Sequence, residues 1–206
     1  VDEFRARFSE MYPSLRDNDD FTAIINERQY DRLQSYLEDA REKGAELVEI
    51  NLARENLKDG TRKIPLTLVL KTTPDMKVMQ DEIFGPILPV VSYGGLDEAI
   101  HYINDRPRPL ALYFFGYDKT QQQHVVDNTH SGGMCINDSL MHVAQDDLPF
   151  GGIGDSGMGH YHGREGFLTF SHHRAIFTKQ KFNSGKFVYA PHGTAAHKMV
   201  YKFFIR

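Results

Sequence analysis

The segment Glu82-Ile83-Phe84-Gly85-Pro86 places a carboxylate two residues before an aromatic ring. Such a carboxylate can accept hydrogen bonds from two vicinal hydroxyls while the ring covers a flat heterocycle, and a ribose with its nicotinamide would suit this pair. The alternative is an exposed glutamate beside a core phenylalanine, since Glu is mostly exposed and Phe mostly buried. Residue chemistry alone favours the second interpretation.

A glycine-rich stretch at 148–163 (LPFGGIGDSGMGHYHG) is the second feature, with six of the 17 glycines. Glycine permits positive φ and close approach of other groups, so this concentration predicts a loop that wraps something, with Phe150 at its mouth. A GxGxxG pattern begins at Gly152, as in dinucleotide-binding turns. Pro149 cannot donate to a sheet ladder, and Gly159 delays any helix, so a structural loop is the favoured interpretation.

Cys135 is the single cysteine and the obvious candidate nucleophile. It lies in Met134-Cys135-Ile136, an apolar run without a basic neighbour in sequence. Reactive thiolates need an electropositive and partly open environment. The sequence therefore predicts a buried cysteine that acts as a small hydrophobe.

The ten histidines suggest a metal site, but their spacing does not support one. His160 and His162 are two apart, His172 and His173 are adjacent, and none shows the i, i+4 spacing with an intervening Glu. Without a carboxylate or thiol cluster to complete a ligand set, we predict no metal. His142 follows a strand end and would serve as a polar pocket residue, with a satisfied structural histidine as the default.

The elements that must position these residues follow from periodicity and from turn signals. From residue 87 onwards, strands alternate with helices, which predicts a parallel sheet with right-handed crossovers and ligands beyond its carboxyl ends. We expect a three-layer α/β/α parallel sheet. The predicted helices are 1–11, 26–43, 96–104, 120–128 and 165–170, with one or two helical turns at 76–83. The predicted strands are 45–52, 64–70, 87–93, 110–117 and 134–137, with a turn at 58–60.

Composition limits the classes of protein that this chain can represent. A length of 206 residues suits one domain with an appendage. A net charge of -4 gives no reason to expect nucleic acid or an anionic membrane as partner, and no apolar run is long enough to span a bilayer. A single cysteine fits a reducing cytoplasm. Because Val1 already belongs to a helical pattern, we expect a fragment of a longer protein, with N-terminal processing as the alternative.

The C-terminal residues form the appendage. Arg174–Phe182 alternates as a half-exposed strand would. Lys198–Arg206 is basic and aromatic, which leaves open peripheral membrane contact and packing on a partner subunit. The sequence favours the second.

In combination, these motifs resemble the aldehyde dehydrogenase superfamily, from Val1 to about Phe177. The segments that carry the resemblance, in the family's order and spacing, are Glu82–Pro86, Arg108–Tyr113, Ser131–Gly133 with Asn137, and Leu148–Gly159. Two further segments, Tyr161–Gly163 and Thr169–His172, are similar to the class 3 branch. Ile24–Tyr30 and Met141–Gln145 are similar to the coniferyl aldehyde dehydrogenases within that branch.

The resemblance implies a function and roles for three residues. The family oxidises aldehydes to carboxylic acids with NAD or NADP, and the expected substrate is an aromatic (coniferyl-type) or medium-chain aldehyde. Glu82 is expected to bind the nicotinamide ribose and Phe84 to pack beside the nicotinamide. Phe150 is expected to line the aldehyde pocket. His142 is added to the substrate-binding residues from its place after a strand end.

The resemblance also implies what this chain does not contain. The family's nucleophilic Cys, general-base Glu and cofactor-binding domain would precede Val1, so we expect no catalytic nucleophile or base here and no activity from the chain alone. Residues 1–173 would be part of the catalytic domain, and 174–206 an oligomerisation strand and tail of a cytoplasmic homodimer or higher oligomer. Two alternatives stay open: a stand-alone chain that binds a partner without catalysis, and a His-based metalloenzyme.

Overall fold

A computed structural model describes residues 1–57, 60–182, 185 and 189–204. Of the turn predicted at 58–60, Lys58 and Asp59 therefore lie outside the described residues. The chain divides into two compact units, Val1–Ala99 and Ile100–Arg206. This division was not expected from the sequence, whose predicted boundary at 173/174 stays a prediction.

The helices of the described part agree with the predicted ones except at the C-terminus. They are α1 (Asp2–Met11), α2 (Glu27–Glu42), α3 (Lys77–Gln80), α4 (Leu96–Asn104), α5 (Lys119–Asn128), α6 (Gly163–Thr169) and α7 (Ala195–Phe204). The strands are β1 (Glu46–Ile50), β2 (Leu66–Leu70), β3 (Ile87–Pro89), β4 (Ala111–Phe114) and β5 (Gly133–Ile136). The sequence analysis missed α7.

Helix α2 organises the first unit. Asn26 caps it, since its side chain accepts a hydrogen bond from the Gln29 amide, and Gly44 leaves it at a φ of 89°. Its apolar side chains recur at helical spacing and so share one face, which packs into the core of the unit. Leu33, Leu37 and Ala40 are buried there, and Tyr36 joins them.

The sheet of the first unit has the order β1-β2-β3. The central strand β2 pairs with β3 in parallel and with β1 antiparallel. Three consecutive buried residues in β2 show that both of its faces are covered. The core joins this sheet to α2 and α3 through Val69, Ile87, Met76 and Val78.

The second unit contains β4 and β5, which pair in parallel with Leu112 opposite Met134. Helix α5 connects them and begins at Asp118, whose side chain accepts from the Thr120 and Gln121 amides. At the strand ends, Asn137 adopts a φ of 59° and its side chain accepts from the Gly116 amide at 2.8 Å. The predicted α/β fold with parallel strands is thus confirmed, and β1 adds an antiparallel edge that alternation did not predict.

The predicted lengths of two strands are wrong. The runs at 87–93 and 110–117 give only short strands with partly exposed side chains, including Leu88 and Tyr113. An apolar run predicts an extended segment, but the burial of its side chains depends on what packs against it, and Pro89 cannot donate to a ladder.

Arg174–Phe182 pairs with no strand among the described residues and is exposed. An extended segment is assigned as a strand only when a neighbour pairs with it, so the predicted strand between subunits stays a prediction.

Candidate functional site

A turn at Glu82–Phe84 in the first unit carries two of the predicted site residues. Phe84 adopts a φ of 48°, which is uncommon for a bulky residue, and its side chain is 85% exposed. The next position requires glycine, because a Cβ on Gly85 would lie 2.6 Å from the Leu33 side chain. The close approach to Leu33 and the positive φ turn the ring of Phe84 away from the core. Such strain is kept where the surrounding structure fixes it, and is often found at functional sites.

Arg32 on α2 fixes this turn. Its guanidinium donates to the carbonyl oxygens of Glu82 at 3.0 Å and Ile83 at 2.6 Å. The same group donates to the Tyr36 hydroxyl at 2.9 Å, and that hydroxyl donates to the Asp81 carboxylate at 3.0 Å. Since α2 is anchored in the core, the turn is held by a rigid element.

A second contact fixes the approach to the turn. Asp39 of α2 accepts from the Lys77 amide at 2.9 Å, which caps α3, and pairs with Lys43 at 2.9 Å. The hydrogen bond from the Lys77 amide has the larger effect and the contact with Lys43 the smaller, and both hold the pKa of Asp39 below its ordinary value. Helix α3 and the turn that follows are thereby tied to α2.

The turn borders a groove of about 830 Å³ within the first unit. The groove is lined by Glu82, Phe84, residues 20–26, Gln29 and Arg32. Among the described residues, no donor bonds to the Glu82 carboxylate, so its oxygens are available to a ligand. The exposure of the Phe84 ring overturns the expectation of a core Phe84. A carboxylate and an exposed ring at one groove have the chemistry that a ribose and a flat heterocycle require.

The backbone at 14–18, just before the groove, is held from both sides. Glu55 accepts from the Leu15 amide at 2.6 Å, the Ser14 hydroxyl at 2.7 Å and the Arg16 amide at 3.2 Å. The Lys63 ammonium donates to the carbonyl oxygens of Leu15, Arg16 and Asn18, each at 2.8 Å. The hydrogen bonds from Leu15, Ser14 and Arg16, together with the charge of Lys63, lower the pKa of Glu55.

The second unit carries the other predicted site residues in one aromatic cluster. Phe150 pairs with Tyr161 through backbone hydrogen bonds of 3.0 and 2.9 Å in both directions, and their ring centroids are 5.5 Å apart. His142 lies 5.5 Å from the Phe150 ring, and His162 lies 6.3 Å from it. The structure thus brings together Phe150 and His142, which were assigned separately to a substrate pocket, and that role stays a prediction.

His142 also contacts Cys135. The Cys135 thiol lies 3.2 Å from Nδ1 of His142, and both side chains are buried. Nε2 of His142 has no partner among the described residues, and neither has Nδ1 of His162. The predicted burial of Cys135 is confirmed. It has no basic neighbour in sequence, but a turn brings His142, seven positions later, back to β5 beside it.

The glycine loop packs on itself. A Cβ on Gly152 would lie 2.1 Å from the Ser156 carbonyl oxygen, and the Ser156 hydroxyl bonds the backbone of Ile153. The residues 154–156 form a single 3-10 turn, and the next helix begins only at Gly163. This agrees with a structural loop, as the sequence predicted, and not with a strand–turn–helix that cradles a pyrophosphate.

In the part of the chain that the structure describes, no three His, Cys, Asp or Glu side chains are placed to hold a metal ion. No helix among the described residues has the length and apolar character to cross a bilayer.

With the fold and both sites described, comparison with known proteins defines the class. The family model of the aldehyde dehydrogenase family matches residues 1–176, and the chain belongs to this family. Family 3 members are among its relatives. A "Probable coniferyl aldehyde dehydrogenase" of Pseudomonas aeruginosa is 57% identical over the whole chain, which covers 43% of that relative.

Solved structures that are similar to this chain support the same family assignment. Staphylococcus aureus AldH, in a substrate-bound state, matches 98% of the chain with a TM-score of 0.75 and 38% identity. A Mycobacterium tuberculosis aldehyde dehydrogenase complexed with NAD+ matches 78% with a TM-score of 0.69 and 27% identity. The chain covers 44% and 32% of these two proteins, so it spans less than half of each.

Proposed function

We propose that this chain supplies the nicotinamide-side and aldehyde-side surfaces of an NAD(P)-dependent aldehyde dehydrogenase that oxidises an aromatic aldehyde of the coniferyl type to its carboxylic acid. The observation that carries the proposal is the 830 Å³ groove at which the Glu82 carboxylate and the Phe84 ring meet. The Pseudomonas relative and the NAD-bound Mycobacterium structure support the substrate and the cofactor. A medium-chain aldehyde is the alternative substrate.

On the cofactor side, the chain's residues bind and orient. The Glu82 carboxylate accepts hydrogen bonds from the two ribose hydroxyls, and the Phe84 ring covers one face of the nicotinamide and excludes water there. Arg32 keeps both in register by holding the backbone between them. Held by these residues, NAD(P) would supply the hydride-accepting chemistry of the reaction.

On the aldehyde side, Phe150 and Tyr161 provide an aromatic wall. The Cys135 thiol lies against Nδ1 of His142, and Nε2 of the same ring is buried beside Gly133, so His142 supports this wall from behind. Cys135 is therefore a positioning residue and not the nucleophile. None of the chain's residues serves as nucleophile or general base, so the isolated chain is inactive.

The C-terminal segment, the compartment and the domain boundary complete the proposal. The exposed Arg174–Phe182 segment pairs with a neighbouring subunit in a homodimer or higher oligomer. The single cysteine supports the cytoplasm as the compartment. Residues 1–173 act as part of the catalytic domain, and the segment from 174 onwards serves oligomerisation.

Ligand-observed NMR on this chain tests the proposal. Saturation transfer from the protein to the nicotinamide protons of NAD+ is expected, because Phe84 lies against that ring, and F84A should abolish it. E82Q should weaken the transfer to the ribose protons. Y117A and E38Q, which change an exposed aromatic and an exposed carboxylate outside the groove, are the matched controls. Equal transfer in F84A and Y117A would reject the cofactor site and leave a non-catalytic binding chain as the better reading.

A further inference from the structure

The groove that Glu82 and Phe84 line has a second wall, formed by residues 20–26. This wall belongs to no helix or strand, and it ends at Asn26, the N-cap of α2. Ile25 lies in the wall with 80% of its surface exposed. A segment without the hydrogen bonds of a helix or sheet keeps one shape only where contacts from other segments hold it, so the shape of the groove depends on such contacts.

Arg62 holds the wall near its end. The Ile24 amide donates to the Arg62 carbonyl oxygen at 2.8 Å, and Nε of Arg62 donates to the Ile24 carbonyl oxygen at 3.1 Å. One residue therefore satisfies both backbone polar groups of Ile24. Arg62 adopts a φ of 50°, which is uncommon for a residue other than glycine and persists only where the surroundings fix it. This reciprocal contact fixes the position of Ile24.

Lys63 holds the backbone that leads into the wall. An ammonium has three donors, and the three carbonyl oxygens that accept from Lys63, each at 2.8 Å, include that of Asn18. Asn18 passes this anchor on to the wall. Its side-chain oxygen accepts from the Asp20 amide at 2.9 Å, and its carbonyl oxygen accepts from the Phe21 amide at 3.3 Å.

The two anchoring residues are adjacent in sequence and are themselves tied to the core. The next residue, Ile64, is buried in the core of the first unit. Between the two anchored points, the Phe21 ring centroid lies 6.2 Å from that of Phe8 and 5.9 Å from that of Tyr12. The wall is therefore held at its beginning, in its middle and at its end.

We propose that Arg62 and Lys63 are positioning residues for the nicotinamide nucleotide, and that they hold the wall at 20–26 where the bound ribose and nicotinamide require it. The inference rests on the proposed function, because it takes the groove as the cofactor site. Neither side chain lines the groove, so both act through the backbone of the wall. Loss of either side chain should weaken the binding of NAD(P) and leave the chemical step nearly unchanged, because a uniform loss of binding changes KM and not kcat.

A purely structural role is the rival explanation. Lys63 satisfies three carbonyl oxygens, so K63M should lower the melting temperature under either explanation. The two roles differ in their kinetics. A smaller folded fraction lowers the apparent kcat and leaves every KM unchanged, whereas a displaced wall raises the KM for NAD alone.

Steady-state kinetics of an active aldehyde dehydrogenase that carries this chain test the proposal. We expect K63M to raise the KM for NAD about fivefold or more, with kcat and the KM for the aldehyde within about twofold of the parent values. K63R should restore part of the loss, because it keeps the charge but its planar guanidinium cannot aim at three carbonyl oxygens as the ammonium does. K71M removes an exposed lysine that pairs with Glu46 in the same unit, and it should match the parent.

R62M gives a second measurement that remains available if K63M does not fold. It removes the hydrogen bond from Nε and keeps the backbone hydrogen bond from the Ile24 amide, so the KM for NAD should rise by only about two- to threefold. Circular dichroism shows whether each variant is folded. Equal KM values for NAD in R62M, K63M and K71M would overturn the proposal, and so would a fall in kcat alone.

Saturation transfer to NAD+ separates this inference from the proposed function. If the wild-type chain shows transfer that depends on Phe84 and the KM values do not change, the cofactor site stands and the positioning role falls. If the wild-type chain shows no transfer, the cofactor site is rejected and the positioning role with it.

Discussion

At the scale of single residues, the account depends on how the Glu82–Phe84 turn is held. Arg32 donates to the carbonyl oxygens of two consecutive peptides, those of Glu82 and Ile83. Strain at Phe84 persists only because this contact and the packing of Gly85 on Leu33 fix the turn. The same geometry that exposes the ring keeps it in one place.

Arg32→Met should therefore release the turn. Hydrogen bonds from a charged group contribute roughly 1.5–3 kcal/mol, so we expect a lower melting temperature and, in an active enzyme that carries this chain, a KM for NAD that rises about tenfold. Arg28→Met removes an exposed arginine from the same helix and is the control. Identical melting temperatures and KM values for the two variants would show that Arg32 does not hold the turn.

Cys135 gives a second prediction at this scale. Because it is a buried positioning residue beside His142, Cys135→Ala should retain turnover in an active enzyme that carries this chain and should destabilise it by about 1 kcal/mol. Measured rates of aldehyde oxidation and urea unfolding check both parts. Loss of all turnover in a folded Cys135→Ala protein would make this thiol the nucleophile and contradict the account.

Much of the site could be predicted from the sequence where its residues are contiguous. Glu82 and Phe84 lie in one short motif. Residue chemistry alone favoured an exposed Glu beside a core Phe, and the resemblance of this motif to the family's motif favoured a cofactor-binding role instead. Arg32 was missed because it lies 50 residues before Glu82, although its i, i+4 spacing with Tyr36 indicated a shared face. The Cys135–His142 contact was missed because only the fold closes the turn between them.

At the scale of elements, the glycine loop is packed through direct contacts between backbone atoms. A Cβ on Gly152 would lie 2.1 Å from the Ser156 carbonyl oxygen, and neither group can move without opening the loop. Gly152→Ala should thus destabilise the protein by about 1–3 kcal/mol, as overpacking does. Gly95→Ala, where a Cβ meets nothing within 4 Å, should be close to neutral. Thermal unfolding compares the two, and equal melting temperatures would contradict the tight packing of this loop.

The hydrogen bonds that Glu55 accepts predict a pH dependence. Its pKa is lower in the folded chain than its ordinary value of 4.5, so its contribution to stability is complete above that value and is lost as the pH falls through the folded-state pKa. Glu55→Gln should lower stability at neutral pH and flatten its decline between about pH 5 and about pH 3. Glu3→Gln, on exposed helix α1, should leave the decline unchanged. Denaturant unfolding across this range checks the slopes, and a wild-type slope in Glu55→Gln would reject the role.

Prediction of the elements succeeded where a local signal was complete. Helix α2 had its cap, its apolar stripe and its terminal glycine, and helix α4 has the predicted bounds. Helix α7 was not predicted, because Pro191 and Gly193 precede it and indicate irregular structure. Arg174–Phe182 alternates as a strand, but a strand also needs a hydrogen-bonding neighbour, which a pattern in one segment does not specify.

At the scale of the whole chain, two compact units carry two different surfaces. The first holds the groove that Glu82 and Phe84 line, and the second holds the aromatic cluster around Phe150. The chain spans 43% of its Pseudomonas aeruginosa relative, so its contribution to catalysis is best measured in the context of that protein.

The most direct test is therefore a chimera in which this chain replaces the matching segment of the Pseudomonas relative. NADH absorbance follows the oxidation of coniferyl aldehyde. We expect turnover in the chimera, and in its Glu82→Gln variant a fall in kcat/KM for NAD of about tenfold or more, since charge-assisted hydrogen bonds to the ribose are lost. The Glu38→Gln variant should match the parent chimera. Unchanged kinetics in Glu82→Gln would contradict the assignment of this groove to the nicotinamide nucleotide.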